Sequence, residues 1–401
     1  MKFNKVSQLF LVSTIGLLVA ILLPGCALVT IDYIYLAGSA TSGSNGIIQA
    51  FAVDSQSGAL RTGKPSVDSG GPNPVALAVS SDHQHLYAAN QGNNSVVHFS
   101  LDSNGTMTKK DSVTLADAPV YLAVNEAGTY LFVVSGTTSA TLTAYSLSSG
   151  TIGTVAAQEP LTIPGFDTDS VVPTGVTALA NNNAVYVTLY DRSAYNPGGT
   201  TTSTANPGWI FGFTVGSSGA LTPTGGGPYR AGVKPSALTA DPTSRFIYVT
   251  DFASNQLIGY AVQSNGILSY LINGPFRTGN EPAAITVDPR GKYIYVANSL
   301  DSSVSAYAID LATGTPSTAV NVTGSSINTT DTQPVSVVVD PALGRYVYTA
   351  NFLGNSVSGF RLDPNAGSLK QSQATPYPTG PKPTAITAVP HGNHSIQNVV
   401  P

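Results

Sequence analysis

Short apolar runs of about six residues recur along this chain, separated by polar stretches rich in Gly, Pro, Asn and Asp. The clearest instance runs from Glu281 to Asn298, EPAAITVDPRGKYIYVAN. Its first half, Ala283 to Val287, reads as a short apolar strand. Asp288-Pro289-Arg290-Gly291 places Asp first, Pro second and Gly fourth, the preferences of a type I reversal. The aromatic and β-branched run Tyr293 to Ala297 then reads as a second strand, so the unit predicts a hairpin.

Near copies start at Pro74, Pro119, Pro173, Pro235, Pro282, Pro334 and Pro383. The intervals of 45, 54, 62, 47, 52 and 49 residues exceed those of helical arrays and lie near the period of four-stranded propeller blades. Six copies continue into a second strand (HLYAAN, YLFVVS, AVYVTL, FIYVTD, YIYVAN and RYVYTAN) and then a third, such as SVVHFSLD or SVSGFRLD. The last copy, TAITAV, has no second strand, while YIYLAGS at Tyr33 to Ser39 is a second strand with no first. Joining them predicts an all-β fold, a seven-bladed β-propeller of four-stranded antiparallel blades. The ring is closed by pairing N-terminal and C-terminal strands in one blade, which leaves no long open edge. The predicted propeller spans 33–390, with a linker at 26–32 and a tail at 391–401.

Composition sharpens this picture. Only 9% of residues are charged, as suits strands covered on both faces, and 40 Gly with 27 Pro suit many turns. The net charge of −4 has no basic block, which gives nucleic acid no electrostatic foothold. Lys2 and Lys5 precede an apolar run from Leu9 to Leu23 and then Pro24-Gly25-Cys26, the pattern of an export signal over residues 1–25. This stretch resembles a bacterial lipoprotein signal, which implies that Cys26 is acylated and tethers the chain to a bacterial membrane facing the periplasm or the cell exterior. An uncleaved anchor, or a plain signal peptide with an incidental cysteine, stays open. Cys26 is the only cysteine, so an internal disulfide is excluded and a monomeric ring stabilised by packing alone is expected.

The unit PxxLxVxPxGxxLYVAN, over Ile31 to about Pro390, resembles the YVTN repeats and the lactonase-type seven-bladed propellers, a family that includes 6-phosphogluconolactonase. That resemblance implies a site in which one blade starts Pro-Arg-His, passes a His-Pro turn and ends its second strand in Asn-Glu. Here the corresponding residues are Pro282-Ala283-Ala284, Asp288-Pro289 and Asn298-Ser299, and no other blade supplies the missing His or Glu. Lactone opening needs a base or an oxyanion stabiliser, and both family candidates are gone.

Three connectors share a pattern: Pro228-Tyr229-Arg230…Lys234-Pro235, Pro275-Phe276-Arg277…Glu281-Pro282 and Pro376-Tyr377-Pro378…Lys382-Pro383. They predict Arg230 and Arg277 as equivalent residues, with Lys234, Glu281 and Lys382 at the channel mouth, where four cations against one anion would attract a carboxylate or phosphate. The competing reading has the aromatic residues wedged between blades and the arginines capping carbonyls. Asn298, like Asn90, Asp251 and Asn351, ends a second strand and either satisfies turn amides or touches ligand.

His83 and His85, two apart, would point the same way and with Asp82 suggest a metal pair, but a third ligand is not evident. Asp167, Asp169 and Asp191 could gather calcium, and His391 and His394 fall in the tail. No metal or cofactor is assigned. The stretch between Tyr190 and Trp209 is a Gly/Thr/Pro insertion, read equally as a functional loop or a spacer. Two functions follow. The first is a lipid-anchored extracytoplasmic module binding an envelope protein, a glycan or a small anionic ligand at the mouth. The alternative is a lactonase-type hydrolase with a rebuilt site using Arg230, Arg277 and Glu281.

Overall fold

The computed structural model describes residues 29–40, 44–163, 171–192, 208–318 and 327–391. The insertion from 193 to 207, Cys26, Asp167, Asp169 and His394 lie outside them. Seven antiparallel sheets are arranged so that each innermost strand contacts the innermost strand of both neighbouring sheets, and the series closes on itself. Blades 1 to 7 are numbered here by the innermost strands beginning at Pro74, Pro119, Val171, Pro235, Pro282, Pro334 and Pro383.

Blade 7 is built from both ends of the chain. Its innermost strand, Pro383–Pro390, pairs antiparallel with Thr30–Gly38, from Asp32 opposite Pro390 to Gly38 opposite Pro383. Ile47–Asp54 follows as the third strand and Leu60–Arg61 as the fourth. The strand starts at Thr30, three residues before the expected boundary, because pairing with Ile47–Asp54 extends that far. Within the repeat the Asp288 to Gly291 reversal forms as expected, the Gly291 amide donating to the Asp288 carbonyl at 2.8 Å. The Asp288 carboxylate then accepts the amides of Lys292 and Tyr293, which fixes the start of the second strand.

Seven apolar clusters fill the seven junctions, each combining residues of two adjacent blades. A polar strap accompanies five of them. The central tyrosine of the second strand donates to a carbonyl in the outer turn of the next blade: Tyr87 to Gly150, Tyr186 to Gly266, Tyr248 to Gly314, Tyr295 to Gly367 and Tyr348 to Gly58, at 2.6 to 3.0 Å. Those glycines have positive φ and no room for a side chain. A Cβ on Gly58 would stand 2.2 Å from the Tyr346 ring, and one on Gly367 would stand 2.2 Å from Tyr293. Blade 2 has Phe132 at the tyrosine position, and there Tyr130 reaches the Ser217 carbonyl of blade 3 instead.

Candidate functional site

The mouth is the end of the channel where second strands finish and innermost strands begin. A backbone bond repeats there in six of the seven blades: the amide after the second strand donates to the carbonyl of the residue before the innermost Pro. It joins Gln91 to Asn73, Gly136 to Ala118, Phe252 to Lys234, Ser299 to Glu281, Phe352 to Gln333 and Ser39 to Lys382, at 2.8 to 3.2 Å. Lys234, Glu281 and Lys382 therefore occupy equivalent places on one ring of residues. Asn73, Glu281, Gln333 and Lys382 adopt φ between 48° and 59°, a left-handed conformation disfavoured for residues with a Cβ. The preceding blade holds two of them in it, since Asn255 accepts the Glu281 amide and Asn355 the Lys382 amide, each at 2.8 Å. Strain over-determined by neighbours in this way sets side-chain direction before any ligand arrives.

The two lysines share a further arrangement. Lys234 Nζ lies 4.4 Å from the centroid of the Phe252 ring and 5.7 Å from that of Tyr190, and Lys382 Nζ lies 5.8 Å from that of Phe352. Ammonium groups over aromatic faces gain on the order of 0.5–1 kcal/mol when exposed, and more when partly dried. Burial lowers the Lys234 pKa, the Glu281 carboxylate of the next blade opposes that shift, and the Arg192 guanidinium adds to it. Asp251, fully buried, accepts the backbone amides of Val233 at 2.8 Å and Lys234 at 2.9 Å and so anchors the loop that carries Lys234.

Arg230 and Arg277 are equivalent, as the sequence predicts, but they are not on this ring. They lie in two-residue strands, Tyr229–Arg230 and Phe276–Arg277, that pair with the third strands through Trp209 opposite Arg230 and Gln256 opposite Arg277. The expected mouth placement of both arginines is corrected. The connector bridges to the third strand before it reaches the innermost one, which keeps the third, second and innermost strands of the blade between these residues and the axis. Both side chains are exposed, and the Arg230 guanidinium stacks 3.9 Å over Trp209. Their carbonyls serve as acceptors, Arg230 for Tyr260 and Tyr270, Arg277 for Tyr307 at 2.6 Å. Tyr229, Phe276 and Tyr377 pack into blade-junction clusters, as the competing reading expects. Asn298 is fully buried and turned along its blade, its Nδ2 donating to Ser303 at 3.1 Å and Ser305 at 2.9 Å.

Below the mouth, the channel wall lacks the family's Arg and His. The Ser236 hydroxyl donates to the Pro282 carbonyl and that of Thr384 to the Pro74 carbonyl, stitching neighbouring innermost strands together. One side chain breaks the pattern. The third residue of the innermost strand is Ala76, Ala237, Ala284, Ser336 or Ala385 in five blades, and Gly175 takes the same place in blade 3, but in blade 2 it is Tyr121. Tyr121 is 37% exposed, yet desolvation raises the pKa of its hydroxyl, so this innermost strand carries a partly open aromatic side chain where the other blades carry Ala, Ser or Gly. Sequence reasoning passed over it, though setting the post-proline triplets side by side shows it.

The histidines do not form a metal pair. His83 sits at φ +60° in its turn, which breaks strand alternation, and the two rings face different neighbours. His85 lies against Gly150 of blade 2 and its Nδ1 is 2.9 Å from Nε2 of His98. His98, buried, bonds through Nδ1 to Asp111 at 2.7 Å. Neither His98 nor Asp111 was singled out by the sequence. Among the described residues no group of three or more His, Cys, Asp or Glu could hold a metal ion.

Solved structures share this architecture. A Pseudomonas aeruginosa periplasmic gluconolactonase, PpgL, is 18% identical with a TM-score of 0.71, matched over 90% of this chain and 100% of that one. A Bacteroides fragilis protein provisionally named a 6-phosphogluconolactonase is 19% identical with a TM-score of 0.71, over 90% and 99%. A Lactobacillus plantarum protein is 17% identical with a TM-score of 0.72, over 90% and 99%. At these identities the likeness shows the fold. No curated protein matches the sequence. The family model described as lactonase, 7-bladed beta-propeller, matches residues 34–170 and 217–327, more than half of the chain, and the chain belongs to that family.

Proposed function

We propose that this chain is an exported, lipid-anchored propeller whose mouth binds a small anionic ligand of the sugar-acid class. The observation that carries the reading is the repeated placement of Lys234 and Lys382 on equivalent pre-proline positions over Phe252 and Phe352. The ammonium groups would take the ligand's carboxylate, Glu281 would accept its hydroxyls, and Tyr121 offers a flat apolar surface to a ring entering the channel. The signal-like stretch ending at Cys26 supports export and anchoring. Titration of the purified protein with gluconate, followed by calorimetry, should saturate. Lys234→Ala should weaken it about tenfold, a loss of roughly 1.4 kcal/mol, and Arg230→Ala should leave it unchanged. Absence of saturation, or equal losses in both variants, would sink this reading.

One observation favours a second reading, lactone hydrolysis: the burial-lowered Lys234 lies within electrostatic reach of Glu281 in a chain of the lactonase family. Glu281 would take a proton from the attacking water while the Lys234 ammonium stabilises the carbonyl oxyanion. The ring C–O bond then breaks, and the departing alkoxide recovers the proton from Glu281. Turnover of gluconolactone that disappears in Glu281→Gln would establish this reading over simple binding.

A further inference from the structure

Blades 7 and 1 meet at a crevice of about 350 Å³ on the face opposite the mouth, lined by Tyr33, Tyr35, Asp82, His83, Gln84 and Asp102 among others. Its size is at the lower end of the range of small-molecule pockets. Tyr35 is fully buried and its hydroxyl has no partner, although its five counterparts each donate to a glycine carbonyl of the next blade. A buried hydroxyl left unmatched costs roughly 1–3 kcal/mol, so the repeat is abandoned at a position where following it would stabilise the ring.

The carboxylates beside it are committed on one side only. Asp102, exposed at the rim, receives the amides of Asn104 at 2.9 Å and Thr106 at 2.8 Å on Oδ1, and two carboxylate oxygens have lone pairs to spare for a further donor. Asp82 receives the Ser80 hydroxyl and the Gln84 amide on Oδ1, while its Oδ2 faces His85 Nε2 at 3.7 Å. The Thr106 amide, joined by Asn104 and Lys64, holds Asp102 below the usual carboxylate range despite some burial. For Asp82, burial works the other way, but the Ser80 and Gln84 bonds and both histidines outweigh it. Burial lowers the His83 pKa below 6.5, so at neutral pH the lining is anionic.

We propose that this crevice is a second ligand site, separate from the mouth, for a monosaccharide-sized cationic polyol, by chemical class an amino sugar. The Tyr35 hydroxyl bonds a ring hydroxyl at the floor, and the Oδ2 atoms of Asp82 and Asp102 take the ammonium and hydroxyl donors. A ligand of the opposite charge, the kind the mouth selects, is repelled here.

Ligand-observed NMR titration of the purified protein tests this with three probes of one ring size. Glucosamine should saturate, glucose should bind about tenfold more weakly, and glucuronate should not bind. Tyr35→Phe and Asp102→Asn should each weaken glucosamine about tenfold, with thermal unfolding midpoints near that of the parent, and Lys234→Ala should leave it unaffected. Failure of glucosamine to saturate, glucuronate binding as well as glucosamine, variants that bind like the parent, or loss of binding in Lys234→Ala would each overturn the proposal.

Discussion

Five blade junctions are strapped by a tyrosine hydroxyl on a glycine carbonyl, whereas the junction of blades 7 and 1, beside the strand that joins the two chain ends, keeps the tyrosine and loses the bond. Backbone pairing does not differ in kind, since Thr30–Gly38 and Pro383–Pro390 pair as fully as strands within any blade. The difference lies in the side chains around the seam. In and beside blade 7 the Tyr35 hydroxyl, Nε of Arg61 and Nδ1 of His391 are buried without a partner. On the other side of the same strand Asp32, fully buried, stands against Asp340 of blade 6. Closure of a ring by hydrogen bonds between strands is thus compatible with a concentration of unmatched polar groups at the seam, whereas among the described residues blades 1 and 5 each leave only a single amide oxygen, of Asn90 and Asn298, in that state.

The comparison is broken most severely by filling the cleft under a strapped ring. Gly58→Ala, at φ +68° and 2.2 Å from Tyr346, should cost about 3 kcal/mol. Gly128→Ala, at φ +64° with nothing within 4 Å, should cost only about 1 kcal/mol, both read from urea midpoints. Next comes the seam carboxyl. Burial, with the neighbouring Asp340 carboxylate adding to it, raises Asp32 to about 9 from the ordinary 3.8. The folded chain therefore keeps a proton that the unfolded chain releases, and stability falls as pH rises between those values. Asp32→Asn should stabilise the protein at pH 8 by on the order of 2 kcal/mol and flatten that slope, measured by denaturation across pH.

The strap itself gives a smaller contrast. Tyr348→Phe, which strands the Gly58 carbonyl, should lose about 1–1.5 kcal/mol, while Tyr35→Phe should be neutral or slightly stabilising. The smallest effect belongs to His85, which takes in blade 1 the place that Phe246 fills in blade 4 against a glycine of the next blade. Burial lowers its pKa below 6.5, Asp82 opposes the shift and His98 adds to it, so stability held above that pH is lost as pH falls through it. The acid-side loss should be under about 1 kcal/mol and should shrink in His85→Phe.

The repeat was legible because each blade needs the same turn chemistry at the same interval. Aligning on Pro located all seven innermost strands and the closure of Tyr33 to Ser39 against the C-terminal strand. The same alignment located Lys234, Glu281 and Lys382 on one ring, since residues before an invariant turn inherit its geometry. It misplaced Arg230 and Arg277 because a two-residue bridge to the third strand has no hydrophobic period to reveal it. His83 and His85 were read with strand alternation, which a single left-handed residue removes. The Asp32–Asp340 contact joins residues more than three hundred positions apart, and no local pattern announces such a pair.

The strand beginning at Thr30 enters the ring at the end opposite the mouth, since Asp32 pairs with Pro390 and Gly38 with Pro383. A lipid on Cys26, four residues upstream, would therefore lie the underside of the disc against the bilayer and present the lysine-bearing opening outward, like a dish facing away from its mount. Access to the pore would then be a matter for solutes in the surrounding compartment, and the crevice beside Tyr35 would open toward the headgroups.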